Sequence, residues 1–271
     1  MKNVGVIFKR TLWDSRIGIL SWGIGLGILA LGELTLFPSI SEAFAGMTEL
    51  LNSPFYKAFL GENADAASFA TPAGYISTYM LAFVPLYVAV YAVLLGLGVV
   101  ANEEERGTLD VLLGTPIPRW QVVVEKSAAV LVILLLVLLL NGVGAVLGVL
   151  ITPELAEISI ARVIEGSVSM LPVTLVMAAL ALFFSTLLRS RNVAAGVTGA
   201  IIIASYFITN LSSIAQEALG TIKQFSFYSY YSPLRTMQNG IVWNDFLILC
   251  VIVLALFGLA IYAFQRRDIA V

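Results

Sequence analysis

The chain has 271 residues, of which 59% are hydrophobic and 12% charged, with a net charge of −2 and a mean hydropathy of +0.96. Soluble domains carry roughly 25% charged residues, so this composition indicates an integral membrane protein. The chain has no histidine and only one cysteine, Cys250. Zinc and haem sites built on histidine, and scaffolds held by intrachain disulfides, are thereby excluded.

The amino-terminal segment 1–16 predicts a basic amphipathic helix on the cytoplasmic membrane face, although a solvated positive flank would use the same residues. Its charges and apolar residues recur at helical spacing: Lys2, Lys9, Arg10 and Arg16 with Val4, Ile7, Phe8 and Leu12. The apolar stretch that follows exceeds the roughly 7 to 15 residues of a signal-peptide core. We therefore expect it to be retained as a first span.

Six apolar segments are long enough to cross a bilayer, whose apolar core is about 30 Å thick. They predict one all-α transmembrane domain over 1–271, with spans at 17–37, 75–100, 127–151, 166–188, 193–209 and 246–264. The first and third spans each carry two glycines four residues apart, Gly23 with Gly27 and Gly144 with Gly148. This spacing predicts close approach of another helix. Pro172 predicts a kink in the fourth span.

Two features of the first two spans are candidates for a substrate path. Glu33 lies near the end of the first predicted span, where a carboxylate either lines a polar path or reaches the lipid headgroups. The second span carries aromatic residues at every fourth position, a spacing that forms one stripe along a helix: Tyr75, Tyr79, Phe83, Tyr87 and Tyr91. The stripe predicts either packing against neighbouring helices or an aromatic wall for amphipathic or cationic molecules.

The stretch 101–126 differs from its surroundings because charge, glycine and proline mix there with leucine. Three consecutive glutamates, 103–105, and Arg106 precede Gly107, which lets the backbone turn, and Thr108, a suitable N-cap. A short helix should follow, with one apolar face and a stop signal behind it: Leu109, Leu112, Leu113, then Gly114, Pro116 and Pro118. Such a helix is too short to be stable alone, so it should lie in the interface or dock into another protein.

The distribution of positive charge predicts the orientation of the chain. If both termini are cytoplasmic, eleven of the fifteen cations face the cytoplasm, which satisfies the positive-inside rule. The central stretch 101–126 is then cytoplasmic as well. On the other side lie 38–72, 152–165 and the segment 210–244, whose dense aromatic residues mark an interface belt.

The central stretch resembles the cytoplasmic loop of ABC exporter permeases of the second type. In that family an acidic segment, Gly-Thr-Leu and a leucine-rich turn precede a proline and a basic residue. The positions that carry the resemblance are Glu104, Glu105, Gly107, Thr108, Leu109, Leu112, Leu113, Pro116 and Arg119, with Lys126 opening the next span. The aromatic-Ser-Pro-Leu string that ends at Leu234 and the basic ending 265–268 are also similar to the family.

The resemblance implies a coupling helix that sits in a groove of an ATPase, and short re-entrant helices before the last span. It implies a non-enzymatic exporter subunit that moves a hydrophobic or amphipathic substrate, of the drug, peptide or lipid class, out of the cytoplasm, as in multidrug efflux. Because no P-loop sequence occurs, no cofactor is expected on this chain, and ATP with Mg would bind the partner.

The implied partners are two ATPase subunits, a second permease copy or close homologue, and membrane lipid, with no nucleic acid. The expected location is the plasma membrane of a bacterial or archaeal cell.

Two other classes of function remain open. Secondary transporters and channels place ionisable residues near the bilayer midplane, whereas spans two to six lack charge. Dependence on an ion gradient without an ATPase would favour that class. An intramembrane enzyme is the remote alternative, because Glu103 and Glu104 resemble paired catalytic carboxylates, yet histidine and G-x-S-x-G are both absent.

Overall fold

The computed structural model describes residues 5–45, 53, 71–101, 118–188, 190–212 and 220–266. Every regular element in these ranges is a helix. Six of the helical segments are long and apolar enough to cross a membrane, which confirms the predicted all-α fold with six spans. From here on, the first to sixth spans are Arg16–Thr35, Pro72–Val99, Arg119–Ile151, Ile160–Leu187, Arg191–Leu211 and Trp243–Arg266.

Shorter helices flank the spans. An amino-terminal helix, Val6–Asp14, precedes the first span, and Phe37–Ala45 follows it. Three short elements lie before the sixth span, at Ile222–Phe225, Phe227–Tyr230 and Pro233–Asn239. Pro153–Leu155 forms a 3₁₀ turn between the third and fourth spans. We call one end of the bundle the basic end, because Arg16 and Arg191 open spans there and Arg266 closes one.

The first and third spans form the most extensive contact between two helices among the described residues. A Cβ added to Gly144 would collide with the carbonyl oxygen of Gly27, and one added to Gly148 would lie 2.8 Å from the Cβ of Leu34. The two backbones therefore touch directly, which confirms the close approach predicted from the glycine spacing. Asn141 is fully buried and donates from Nδ2 to the carbonyl oxygen of Leu26 at 3.1 Å.

The second span is not a regular α-helix. It begins with a short α-helical turn, continues as a π-helix over Ile76–Ala82, and returns to α-helix at Val84–Val99. A π-helix widens the backbone turn and displaces carbonyls from the usual ladder. One carbonyl of this segment, that of Leu81, accepts a hydrogen bond from the Tyr231 hydroxyl at 2.6 Å. The irregular backbone is thus supported by a residue from far along the chain.

The fourth span lies at the centre of the bundle, packed against the second and sixth spans. Its helix continues through Pro172, which is buried. The sixth span is the least buried of the six, with only Leu249, Ala260 and Phe264 in the core. An apolar helix with most of its surface uncovered fits a position facing lipid.

The short elements before the sixth span contact the second and fifth spans at the end of the bundle opposite the basic end. Ser226 Oγ donates to the carbonyl oxygen of Ser205 at 2.7 Å and also lies 2.7 Å from Thr209 Oγ1. Together with the Tyr231 bond, these contacts hold the segment against the spans. The predicted entry of this segment into the membrane stays a prediction.

Candidate functional site

The predicted coupling loop lies largely outside the described residues, which stop at Ala101 and resume at Pro118. Eight of the nine predicted coupling residues fall in that interval: Glu104, Glu105, Gly107, Thr108, Leu109, Leu112, Leu113 and Pro116. The ninth, Arg119, is the first residue of the third span. What the structure does describe is how the two ends of the loop are anchored.

Lys126 joins the two ends of the loop. Its side chain is only 7% exposed, and its Nζ donates to the carbonyl oxygens of Gly98 and Val99 at 3.3 and 3.2 Å. These carbonyls close the second span, where helical hydrogen bonding leaves oxygens without partners and the helix dipole favours a cation. The base of the third span is therefore bonded directly to the last turn of the second.

Glu125, beside Lys126, binds the amino-terminal helix. Its Oε2 accepts hydrogen bonds from the backbone N–H groups of Ile7 and Phe8 at 3.0 and 3.2 Å, and its Oε1 accepts one from Gly5 at 2.9 Å. Gln121 donates a fourth bond at 2.8 Å. Carboxylates stabilise helix amino termini by satisfying the first N–H groups and the positive end of the dipole.

The amino-terminal helix lacks a capping side chain of its own. Its N-cap position is Gly5, at φ +87°, a left-handed conformation that glycine adopts without strain. Glu125 supplies the missing cap from 120 residues away in sequence. The Glu125–Lys126 pair, which we call the basal pair, therefore joins three elements: the amino-terminal helix, the second span and the third span.

Sequence reasoning singled out Lys126 through the family resemblance but missed Glu125. The available signal was weak: Gln121 and Glu125 are four residues apart, a spacing that lets their side chains meet on one helix face. Nothing in the neighbouring sequence indicates that the other partners of Glu125 lie at residues 5–8.

The predicted aromatic row lies between the first and second spans. Tyr91 stacks on Trp22 of the first span with ring centroids 5.4 Å apart, and Tyr75 meets Phe37 edge to face at 5.0 Å. Tyr75 is fully buried, whereas Tyr87 is 41% exposed. The row therefore differs from a uniform stripe: its two ends pack against the first span and its middle is accessible.

Glu33 lies beside the end of the row that is farther from the basic end. Its backbone carbonyl oxygen accepts a hydrogen bond from the Tyr75 hydroxyl at 2.7 Å. The ring of Tyr75 lies in turn 4.6 Å from that of Tyr79, the next member of the row. Among the residues predicted for a substrate path, Tyr75 and Tyr91 are buried, Glu33, Tyr79 and Phe83 are partly exposed, and Tyr87 is exposed.

A groove separates the second and fifth spans. It encloses a cavity of about 570 Å³ lined by apolar side chains of both spans, including Val90, Leu94 and Ile203, with Arg191 and Asn192 at the basic end. Along the fifth span, small residues at Gly196, Ala200 and Ala204 are exposed. A Cβ added to Gly196 would have no neighbour within 4 Å.

The family of the chain follows from its sequence as a whole. The family model described as ABC-2 family transporter protein matches residues 21–269, which includes all six spans except the start of the first. The chain belongs to the ABC-2 transporter family. Among curated proteins, none matches it.

As an ABC-2 permease, the chain is a multi-pass membrane protein and a transport subunit, and permeases of this family associate with ABC ATPases. Membership favours this class over the secondary transporter, channel and intramembrane-enzyme alternatives. The basal pair joins the two ends of the loop whose sequence resembles the coupling loop of this family.

We expect Glu125→Gln to release the amino-terminal helix of the permease. Glutamine replaces one acceptor oxygen of Glu125 by an NH₂ group, which is itself a donor and cannot accept from the backbone N–H groups of the helix. A buried N–H left without an acceptor costs about 1 to 3 kcal/mol. Amide hydrogen exchange of residues 5–14 should therefore accelerate about tenfold or more, since each tenfold is about 1.4 kcal/mol.

The matched control is Asp14→Asn, which removes a carboxylate of the same helix. Asp14 forms a 3.7 Å ion pair with Arg10, both side chains are exposed, and such pairs contribute little. Amide hydrogen exchange of residues 5–14 in Asp14→Asn should match that of the wild type. Equal exchange in wild type and Glu125→Gln would show that Glu125 does not hold the helix.

Proposed function

We propose that the permease exports a hydrophobic or amphipathic substrate from the cytoplasm, driven by two ABC ATPase subunits that bind the loop 101–126. The observation that carries this proposal is the basal pair. Because Lys126 bonds the end of the second span and Glu125 bonds the amino-terminal helix, a force applied to the loop acts on three elements together. ATP and Mg would bind the ATPase subunits alone.

The loop transmits work only if its contacts with the ATPase differ between the nucleotide-bound and nucleotide-free states. Shifting a two-state equilibrium from 1:99 to 99:1 takes about 5.5 kcal/mol of differential binding. Burying Leu109, Leu112 and Leu113 in a partner groove would contribute roughly 1.5 to 3 kcal/mol each. Only part of this binding free energy has to differ between the nucleotide-bound and nucleotide-free states. Charges at Glu104, Glu105 and Arg119 would set the orientation of the loop in the groove.

From the loop, the third span carries displacement into the bundle. Its backbone touches that of the first span at Gly144 and Gly27, with no side chains between them to absorb movement. Close-packed helix contacts of this kind deform little, so the two spans should move as one body. The second span carries the aromatic row, whose two ends pack against Trp22 and Phe37 at the first span. Because Lys126 joins the second span to the third at the basic end, the opposite end of the second span would move relative to the first and open or close the region around Tyr79, Phe83 and Tyr87.

We place the basic end in the cytoplasm of a bacterial or archaeal cell, with both termini inside. The cations at this end, among them Arg16, Lys126, Arg191 and Arg266, support that orientation through the positive-inside rule. Near the opposite end, the stretch 152–165 carries three glutamates, 154, 157 and 165, and one arginine, Arg162. Drug-class substrates and multidrug efflux fit the accessible tyrosines of the row, whose rings offer apolar area with a polar tip.

A second permease copy would cover the face formed by the second and fifth spans. Small exposed residues along the fifth span let another helix approach closely, as the glycines of the first and third spans do within one chain. The sixth span, in contrast, exposes large side chains such as Leu247, Val251 and Leu254, which suit lipid. We therefore assign the second copy, or a close homologue, to the groove face and lipid to the sixth span.

Replacing Ala200 by tryptophan should break the dimer. A bulky side chain at a close helix contact costs typically about 1 to 3 kcal/mol, which corresponds to roughly a tenfold to hundredfold loss of association. The dimer fraction would be measured by native mass spectrometry of the purified permease. Leu254→Trp, at an exposed position of the sixth span, is the matched control and should leave the dimer intact. A dimer that survives Ala200→Trp would place the second copy elsewhere.

The ATPase assignment is tested by Leu112→Asp. A charge in an apolar groove loses the burial of leucine and adds a desolvation cost, so affinity for the ATPase should fall at least about a hundredfold. The variant should insert normally but lose co-purification with the ATPase and lose ATP-driven transport.

Val111→Asp is the control for that variant. Residue 111 falls on the opposite side of an α-helix from the face of Leu109, Leu112 and Leu113, so the same charge there should be tolerated. Normal transport by Leu112→Asp, or equal damage from both substitutions, would contradict a leucine face that docks into the ATPase.

A further inference from the structure

One carboxylate oxygen of Glu33 is buried among the described residues. Its Oε2 is buried and has no hydrogen-bond partner within the described part of the chain. Two ion pairs within this part of the chain, Arg10–Asp14 and Arg162–Glu165, do not involve Glu33. Burying a carboxylate oxygen without a partner costs free energy, and an ionisable residue within an apolar span is by default a candidate functional site.

The surroundings of this carboxylate are aromatic. Tyr75 holds the Glu33 backbone through its hydroxyl, and its ring lies 4.6 Å from that of Tyr79. Phe83 and Tyr87 continue the row, stacked with ring centroids 6.4 Å apart. Along this row the exposed fraction increases from Tyr75, which is fully buried, to Tyr87, which is 41% exposed. Glu33 thus lies at the Tyr75 end of a row of aromatic rings.

We propose that Glu33, Tyr79 and Tyr87 form a binding site for amphipathic organic cations. This inference rests on the proposed export function and names the substrate class of its path. The carboxylate would neutralise the cation, the ring faces would attract it through their quadrupoles, and the apolar row would take the hydrophobic part of the molecule. An anion would be repelled by Glu33, and a neutral substrate would leave the carboxylate unpaired.

The exposed fraction of the side chains agrees with a site that opens to a ligand. Tyr87, at 41%, is the most exposed member of the row, and Tyr79 is half-buried. Tyr75 and Tyr91 are buried and belong to the wall that supports the site. A cation that reaches Tyr87 would then pass along the row towards Glu33.

Tetraphenylphosphonium and tetraphenylborate test the proposal, because they share size and shape and differ in the sign of their charge. Binding to the purified permease without ATPase would be measured by equilibrium dialysis in a neutral detergent. Each variant is compared with wild type for the same ion, so that partition into detergent cancels. Glu33→Gln should weaken phosphonium binding at least about tenfold, or 1.4 kcal/mol, and leave borate binding unchanged or tighter.

Two controls separate charge from structure. Glu42→Gln removes an exposed carboxylate from the adjacent helix Phe37–Ala45 and should change the binding of neither ion. Tyr87→Leu keeps apolar area but removes the ring, so it should weaken the phosphonium several-fold more than the borate. If Glu33→Gln does not fold, the Tyr87→Leu variant decides the question, because Tyr87 is the most exposed member of the row and leucine keeps its apolar contact with Phe83.

Unchanged phosphonium binding in Glu33→Gln overturns the proposal, and so does an equal loss of both ions, which would report structural damage alone. If Glu33→Gln does not fold, equal effects of Tyr87→Leu on the two ions overturn it. Because the assay contains no ATPase, a negative result leaves the coupling function to be judged separately by Leu112→Asp.

Discussion

Four hydrogen bonds to one buried carboxylate hold the basic end of the bundle together. Glu125 accepts three from the backbone of the amino-terminal helix and one from Gln121, while the adjacent Lys126 donates to the last carbonyls of the second span. Each side chain is only 7% exposed. Two buried charges are tolerated because each meets a helix terminus of opposite polarity, which offsets the cost of removing it from water.

Glu125 and Lys126 lie where they can transmit movement of the loop to the spans. They lie about two turns into the third span, at the carboxyl end of the stretch 101–126 whose sequence resembles an ATPase-binding element. At the other side of the bundle, Glu33 and the aromatic row lie between the first and second spans. The first span is joined to the third by direct backbone contact, and the second is joined to the third by Lys126. In the proposed mechanism the loop therefore acts on both walls of the substrate path.

The six spans and the glycine contacts could be predicted because apolar length and small-residue spacing are local features of the sequence. The role of Glu125 could not, because its partners lie 117 to 120 residues away. The aromatic row was expected as one stripe, yet Tyr75 and Tyr91 are buried and Tyr87 is exposed. A spacing of four residues drifts around an α-helix of 3.6 residues per turn, and the row also crosses the π-helix Ile76–Ala82, so which of its members are covered depends on the neighbouring spans.

The central claim is that the loop 101–126 binds the ATPase through its leucine face. The most direct measurement places a photo-crosslinking amino acid at position 112 in living cells and identifies the product by mass spectrometry, with position 111 as the comparison. The account predicts an ABC ATPase crosslinked from 112 and much less from 111. Crosslinks to lipid alone, or reaction of position 112 with a membrane-impermeant reagent added outside the cell, would contradict it.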